Sequence, residues 1–319
     1  MSRFPIASSG LGRLALPSIG SPRALRQSPT RPSTPQTATG FRAEGLTRAV
    51  GHGLILGGLF VTGYLFLVVA PATRSFGFDA FAYWSVAAGD PYTVPLGSLG
   101  SFNYSPPAVF VADSFGSIDW WMFAALWTAL LVGTIVWLGG SFVWVMAAFA
   151  FPPVALEVYH GNIHLLLAAA VVLGFRHPWT WAFVLLTKFT SAVGLLWFVV
   201  RGEWRSLFIA LGTTAAVVVV TFAFASHLWA DWIAYVSSQP QVVGGSSSVN
   251  VPLWLRLGAA AALVIWGART DRRWTVIVAA TLALPVLWIA GLAMLVGIIP
   301  ELRQGGSRRR IDTSVDATI

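Results

Sequence analysis

Residues Phe76 to Pro107 read FGFDAFAYWSVAAGDPYTVPLGSLGSFNYSPP, a polar segment rich in Gly and Pro between two strongly apolar segments. We call this segment the Asp79 loop. In a chain that is mostly apolar, such a segment predicts a loop at the interface between membrane and water. It contains two of the 12 acidic residues, Asp79 and Asp90.

Residues Asp79 to Ala88 of this loop are predicted to form a short amphipathic helix at the membrane surface, with Asp79 and Tyr83 on one face. Over a helix of this length Asp79 and Asp90 would be about 16 Å apart, whereas paired glycosidase carboxylates are about 5 to 9.5 Å apart. Gly89-Asp90-Pro91 is typical of a turn. We therefore predict one catalytic acid, Asp79, and one turn-forming acid, Asp90. A helix N-terminal Asp is also favoured by the helix dipole, so a structural role for Asp79 stays open.

The composition predicts an all-α polytopic membrane protein. Hydrophobic residues make up 56% of the chain and charged residues 10%, with a mean hydropathy of +0.72, which excludes a soluble domain. The net charge of +8 is concentrated near the ends, with seven Arg and one Glu before residue 50 and three Arg at 308–310. This is the positive-inside pattern, which predicts anionic membrane lipids rather than nucleic acid as partners. The absence of Cys excludes disulfides, Cys-ligated zinc and thiol catalysis.

The order of segments predicts three parts. Residues 1–46 are rich in Ser, Pro and Arg without an apolar run, which predicts a disordered cytoplasmic tail rather than a signal peptide. Residues 47–302 form the predicted transmembrane domain, and residues 303–319 a basic cytoplasmic tail. We expect a multi-pass protein of the plasma membrane with a cytoplasmic N-terminus. The preference for Arg over Lys is typical of a GC-rich bacterial genome.

The apolar runs are of two kinds. Some approach the roughly 20 residues of a membrane span: Leu54–Ala70, Trp120–Gly140, Leu207–Ala225 and Val251–Ala268. The runs between residues 141 and 201 are shorter and interrupted, and the last run, Trp274–Ile299, is broken at Pro285. Broken helices are tolerated where the backbone is buried in protein or lines a wet cavity. We predict about nine or ten transmembrane or half-spanning helices, with a second long polar loop over Ser226–Asn250.

Polar residues at the breaks are candidates for function. Glu157, His160 and His164 share a face if their helix is continuous, but Gly161 lies among them and the HExxH order is absent, so we expect a polar cavity near a phosphate rather than a metal site. Lys188 is the only Lys and has apolar sequence on both sides. A buried ammonium needs an anion, which is either Glu157 or a ligand phosphate.

These residues, in this order, resemble the polyprenyl-phosphate-mannose-dependent mannosyltransferases of glycosyltransferase family 87, in the GT-C superfamily. The family pattern is similar at Asp79, Tyr83, Gly89-Asp90-Pro91-Tyr92, Phe102-Asn103-Tyr104-Ser105-Pro106, Gly161-Asn162-Ile163-His164-Leu165, Lys188, Arg201, Trp204-Arg205, Asn250, Pro285 and Trp288. The chain departs from the pattern at Asn162, which replaces Gln, at His164, which replaces Asn, at Phe189, which replaces Pro, and at Ile289-Ala290, which replace a polar pair.

The resemblance implies a GT-C bundle with an amphipathic helix in its first outer loop. It implies inverting transfer of a hexose, mannose in the family, from a polyprenyl-phosphate donor to a lipid or glycan acceptor outside the membrane. Asp79 would be the base, and Lys188, His160 and His164 would bind the donor phosphate. Substrate-binding roles are implied for Tyr83, Asp90, Tyr92, Tyr104, Asn162, Asn250 and Trp288. The sequence leaves open whether a divalent cation assists.

Two other functions fit the sequence. A transporter or lipid-binding protein would use the broken helices as a path and Asp79 as a gate, and it needs ionisable residues on facing helices at the membrane midplane. Lys188 and Glu157 alone qualify. A catalytically inactive homologue fits the departures from the family pattern, although the retained Asp79 argues against it.

Overall fold

The computed structural model describes the backbone of residues 38–86, 90–238 and 248–304, and the side chains in these ranges from residue 49 onward. The chain divides into two units, residues 1–47 and 48–319, and only the start of helix α1 is described in the first. Most of both predicted tails lies outside the described residues, as does Gly89. The end of the first tail is helical from Ala38 rather than disordered.

Every regular element in the described ranges is helical, as the composition predicts. The α-helices are α1 (Ala38–Tyr64), α2 (Ala70–Ala72), α3 (Phe78–Ser85), α4 (Pro106–Asp113), α5 (Trp120–Gly139), α6 (Phe142–Phe149), α7 (Pro152–His160), α8 (His164–Gly174), α9 (Trp181–Thr187), α10 (Leu196–Arg201), α11 (Trp204–Ser238), α12 (Leu253–Arg269) and α13 (Trp274–Leu282). A π-helical segment, Leu65–Val69, joins α1 to α2, and 3₁₀ helices lie at Pro178–Thr180, Phe189–Leu195 and Ala290–Ile298.

Three helical stretches in the described part of the chain are long and apolar enough to cross a membrane: Ala49–Ala72, Trp120–Gly139 and Trp204–Ser238. Helices α6 and α7 are together long and apolar enough to cross, but they are bent by 78° at their junction. If they form one span, the number of such stretches is four. The predicted runs at Leu54–Ala70 and Trp120–Gly140 are therefore confirmed as helices of spanning length. The predicted nine or ten crossings are not confirmed.

The long polar loop predicted over Ser226–Asn250 is wrong in its first half, because α11 continues to Ser238 beyond a kink at Ala225. Two side chains of this extension, Trp232 and Tyr235, donate hydrogen bonds of 3.3 and 2.9 Å to backbone carbonyls of the Asp79 loop. The polar tips of Trp232 and Tyr235 thus attach the end of α11 to the Asp79 loop. Residues 239–247 lie outside the described residues.

The predicted breaks are confirmed and have local causes. Two prolines begin α7 after the bend, and Gly161 ends the same helix in the left-handed conformation, with φ +71°. Lys188 has φ −137° and ψ 70°, which interrupts the helix between α9 and Phe189–Leu195. Helix α13 ends before Pro285, and helical structure resumes only at Ala290–Ile298. These interruptions surround α8, whose Leu165, Leu167 and Val171 are fully buried in the core.

Candidate functional site

The turn that leads into α3 is docked against two other helices. Gly77 has φ +65°, which favours glycine, and its N–H donates to the carbonyl of Tyr159 at 2.9 Å. A Cβ at Gly77 would lie 2.8 Å from the ring of Trp120, so only glycine fits this contact. The docked turn places Asp79 in the first turn of α3, as the sequence predicts.

Helix α3 lies close to the junction between α7 and α8, and Gly161 makes this approach possible. A Cβ at Gly161 would lie 2.6 Å from the Cβ of Ala80. The carbonyl of Gly161 also accepts a hydrogen bond of 2.7 Å from the indole of Trp127 in α5. Gly161 therefore has a packing role. Because it lets α3 approach closely, Asp79 lies next to the side chain of Asn162.

The amide of Asn162 contacts Asp79 and is held in one orientation. Its Oδ1 accepts a hydrogen bond of 2.7 Å from the N–H of Ile163, so its NH₂ group is the one left to donate to the Asp79 carboxylate. Asn162 is buried, with 8% of its surface exposed. The structure thus brings together two of the residues that the sequence assigns to the site.

The electrostatic surroundings of Asp79 favour its protonated form. Burial raises the pKa of the Asp79 carboxyl above its ordinary value, the hydrogen bond from Asn162 opposes this rise, and the nearby charge of Glu157 adds to it. His160 and His164 also oppose the rise. A carboxylate with a raised pKa is a stronger base than an exposed Asp, which suits a group that removes a proton from a hydroxyl.

Glu157 and His164 form a buried pair beside Asp79. The Oε1 of Glu157 accepts a hydrogen bond of 2.6 Å from the backbone N–H of His164, and its Oε2 lies 2.9 Å from Nδ1 of the ring. Both residues are almost fully buried. The pair joins α7 to the start of α8. Nδ1 of His164 is therefore already in contact with Glu157. Phosphate binding by His164 stays a prediction.

The continuous helix face that would carry Glu157, His160 and His164 is not formed, because α7 ends at His160 and α8 begins only at His164. Within the described ranges, no three His, Asp or Glu side chains are arranged to hold a metal ion. The Nε2 of His160 instead lies 3.1 Å from Oγ of Ser75, in the turn before α3. His160 is half-buried and acts electrostatically on Asp79.

Lys188 has no counter-ion among the described residues, since neither an ion pair nor a side-chain hydrogen bond involves its ammonium. Its Nζ lies 5.0 Å from the centre of the Tyr104 ring. Both Asp79 and Glu157 act on it electrostatically, although neither is within ion-pair distance. Glu157 is paired with His164 instead, so the structural partner considered for Lys188 is already occupied. Lys188 keeps part of its surface accessible.

The three tyrosines of the Asp79 loop are buried and bonded to one another. The hydroxyls of Tyr83 and Tyr104 are 3.0 Å apart, and the hydroxyl of Tyr92 donates to the carbonyl of Tyr104 at 3.0 Å. Ser105 donates to the carbonyl of Leu186 near the end of α9. These bonds hold Tyr104 next to Lys188. The predicted contacts of the three rings with sugars stay predictions.

The other three predicted site residues have contacts of their own. Asp90 is exposed and its Oδ1 accepts a hydrogen bond of 3.1 Å from the N–H of Tyr92, which confirms the predicted turn. Asn250 and Trp288 come near each other because Ser248 pairs with Trp288 in an antiparallel bridge. Substrate binding by these three residues remains a prediction.

Sequence reasoning missed Arg256, which is 6% exposed within α12. Its guanidinium donates to the carbonyls of Val251, Leu282, Leu284 and Pro285 at distances from 2.6 to 3.0 Å. The signal was a single charge in the apolar run Val251–Ala268. Ser75 was also missed, because its bond to His160 joins residues distant in sequence.

The fold and the site define a helical membrane protein in which a half-buried carboxylate, Asp79, acts electrostatically on an ammonium, Lys188, that has no ion-pair partner among the described residues. The family model of glycosyltransferase family 87 matches residues 102–311, more than half of the chain. The chain therefore belongs to glycosyltransferase family 87, and it is a membrane glycosyltransferase. The match includes Asn162 and Lys188 and begins after Asp79. Searches of curated proteins and of solved structures give no significant match.

Proposed function

We propose that this protein transfers a hexose, mannose in the first instance, from a polyprenyl-phosphate donor to a lipid or glycan acceptor at the outer face of the plasma membrane. We also propose that its helices form a bundle of the GT-C type. The observation that carries the proposal is the position of Asp79 and Lys188 in one electrostatic cluster, in which the ammonium has no ion-pair partner among the residues that the structure describes. A carboxylate across the membrane, about 30 Å away, would have no such influence.

The lone ammonium supports a phosphate-linked donor. An unpaired Lys in apolar surroundings is unfavourable unless an anion or water reaches it, and Lys is a compact point charge that suits phosphate. Part of the residue's surface is accessible. We propose that this anion is the lipid phosphate of the donor, with His160, which acts electrostatically on Asp79, as a second contact.

The proposed reaction is a single displacement with inversion. Asp79 takes the proton of the acceptor hydroxyl, and the oxygen attacks the anomeric carbon of the donor sugar. The bond between that carbon and the phosphate oxygen breaks, and the electron pair leaves with the polyprenyl phosphate. Lys188 stabilises the charge that develops on this leaving group. The products are the glycosylated acceptor, polyprenyl phosphate and a protonated Asp79, which returns its proton to water.

Asp79→Asn tests the proposal, because the amide keeps the shape of the side chain and cannot act as a base. We expect transfer from polyprenyl-phosphate-mannose in proteoliposomes to fall by about 10² to 10⁴-fold. Asp113→Asn is the matched control, since Asp113 is exposed in the last turn of α4, and its activity should match the wild type. Undiminished transfer by the Asp79→Asn protein would remove Asp79 from this role.

The pH dependence of transfer gives a second test. Because the base acts when it is deprotonated, transfer should fall as the pH decreases through the raised pKa of Asp79. The hydrogen bond from Asn162 lowers this pKa, so Asn162→Ala should move the acidic limb of the kcat profile to higher pH. An acidic limb that stays in place, or moves to lower pH, would contradict the assigned contact.

A further inference from the structure

Glu157 is fully buried, and the steps of the proposed reaction do not use its charge. Its carboxylate accepts from the N–H of His164 at 2.6 Å and lies 2.9 Å from Nδ1 of the same residue. Ile163, the residue before α8, makes no side-chain cap, so Glu157 caps α8 from the preceding helix. A neutral side chain such as Ser or Asn caps a helix as well. Because burial of a carboxylate is costly, capping alone does not explain a charge at this position.

Glu157 also organises the turn between α7 and α8 through its backbone. Its carbonyl accepts hydrogen bonds from the N–H groups of Gly161 and Asn162, at 2.9 and 3.3 Å. Its carboxylate accepts the N–H of His164, and the N–H of Ile163 donates to Oδ1 of Asn162. These bonds use every backbone N–H from the end of α7 to the start of α8. The orientation of the Asn162 amide therefore depends on Glu157.

Helix α7 is also anchored to the turn that precedes α3. The carbonyl of Tyr159 accepts the N–H of Gly77 at 2.9 Å, and Nε2 of His160 lies 3.1 Å from Oγ of Ser75. Both contacts come from the turn of helix that follows Glu157. They hold α7 in a fixed position relative to the first turn of α3, which carries the proposed base.

The charge of Glu157 acts on Asp79 in the same direction as burial. The Glu157 carboxylate raises the pKa of the Asp79 carboxyl, because two neighbouring negative charges disfavour each other. A base with a higher proton affinity removes a proton from a hydroxyl more readily. The titratable groups that interact with Asp79 are Glu157, His160, His164, Tyr83, Tyr104 and Lys188. Glu157 is the carboxylate of this set.

We propose that Glu157 is a positioning residue of the transfer reaction, which acts through Asn162 and Asp79 and does not touch the substrates. Its carbonyl and carboxylate hold the Asn162 amide against the base, and its negative charge strengthens that base. The Nδ1 group of His164 compensates the buried carboxylate. This inference rests on the proposed function, because Asp79 is the base of that reaction.

Glu157→Gln separates the charge of this residue from its shape. Oε1 of the amide can still accept the N–H of His164, so the cap of α8 is kept, whereas the negative charge beside Asp79 is lost. We expect the acidic limb of the kcat profile to move to lower pH, opposite to the shift expected for Asn162→Ala. At the plateau kcat should fall by about threefold to tenfold because the base is weaker. The donor KM should change by less than about twofold.

Glu157→Asp is the second variant, and it keeps the charge while the side chain is shortened. Its acidic limb should lie closer to that of the wild type, and kcat should fall by about tenfold because the turn is displaced. Glu203→Gln is the matched control, since Glu203 also pairs with a basic side chain, Arg201, at 2.8 Å. Its kcat and its acidic limb should equal those of the wild type.

An acidic limb that stays in place or moves to higher pH in the Glu157→Gln protein overturns the proposal, even if kcat falls. A raised donor KM with an unchanged kcat overturns it too, because Glu157 would then be a binding residue. If the Gln protein does not fold, a wild-type kcat of the Glu157→Asp protein has the same consequence.

Infrared difference spectra measure the shift without transfer. They give the pH at which Asp79 is half protonated, from the carboxyl band that Asp79→Asn removes. A lower midpoint in Glu157→Gln, in a protein whose wild type transfers no mannose, keeps the action of Glu157 on Asp79 and rejects the proposed function. Transfer by the wild type with an unmoved midpoint keeps the proposed function and rejects the positioning role.

Discussion

Lys188 and Arg256 are both cations within apolar sequence, but their surroundings are opposite. Arg256 is buried, and its guanidinium donates to four backbone carbonyls at distances from 2.6 to 3.0 Å. Lys188 has neither a hydrogen bond nor an ion pair from its ammonium among the described residues, and its described neighbour is the ring of Tyr104. One cation is satisfied by the fold, and the other is not.

This difference separates a structural charge from a functional one. Arg256 satisfies carbonyls at the end of α13 and at Pro285, where the helix is interrupted and has no amide donors of its own. The ammonium of Lys188 donates no hydrogen bond to a backbone carbonyl among the described residues. Its desolvation lowers the stability of the folded protein until an anion binds. An ionisable residue in a membrane domain is therefore best judged by whether its hydrogen bonds are complete.

Lys188→Met gives the largest expected contrast. The substitution removes a charge that stabilises the leaving phosphate, so kcat/KM for polyprenyl-phosphate-mannose should fall by about 10² to 10³-fold. Because no hydrogen bond is lost, the thermal unfolding temperature of the protein in detergent should stay equal or rise. Transfer assays and thermal unfolding of the same preparation check both parts.

The comparison would break if Lys188→Met lowered the unfolding temperature and left transfer unchanged, because Lys188 would then be structural. Lys188→Arg sharpens it, since the charge is kept while the shape of the head group changes. We expect the Arg protein to have an activity between those of wild type and Lys188→Met.

Arg256→Met should act on stability instead. It removes charge-assisted hydrogen bonds to the carbonyls of Leu282, Leu284 and Pro285. Bonds to charged groups contribute about 1.5 to 3 kcal/mol each, so we expect a loss of about 3 kcal/mol or more, seen as a lower unfolding temperature. Arg269→Met, at an exposed position in the same helix, should change stability by less than about 0.5 kcal/mol.

Below its own unfolding temperature, the Arg256→Met protein should keep the wild-type KM for the donor. A normal unfolding temperature combined with a raised donor KM would instead place Arg256 in the binding site and remove the contrast with Lys188.

The features that sequence alone predicts depend on short-range properties. Chain length and hydropathy predict the helices at Leu54–Ala70 and Trp120–Gly140, and Pro, Gly and isolated charges predict the breaks at Pro152, Lys188 and Pro285. The turn at Asp90 follows from its neighbours in the same way. Each of these depends on residues within one turn or one span.

What sequence could not predict depends on long-range packing. The pairing of Glu157 with His164 requires a helix end between them, and the bond of Ser75 to His160 joins residues 85 positions apart. The polar stretch after Ala225 is predicted as a loop, and the hydrogen bonds that attach its helix to the Asp79 loop join residues more than 120 positions apart. Arg256 differs from these cases. Its charge within an apolar run is evident from the sequence, and only the carbonyls that it contacts are not.

The smallest expected effect concerns the ring beside Lys188. Tyr104→Leu removes the aromatic face that lies 5.0 Å from Nζ, and such a contact contributes about 0.5 to 1 kcal/mol, so KM for the donor should rise by roughly two- to fivefold. Tyr104→Phe keeps this face and loses only the bond to the hydroxyl of Tyr83, so its KM should rise less. Equal KM values for the two variants, measured below both unfolding temperatures, would show that Lys188 does not depend on the ring. The Lys188 ammonium would then be positioned by the break at the end of α9 alone. The backbone conformation of Lys188 would be the feature that orients its charge toward a phosphate.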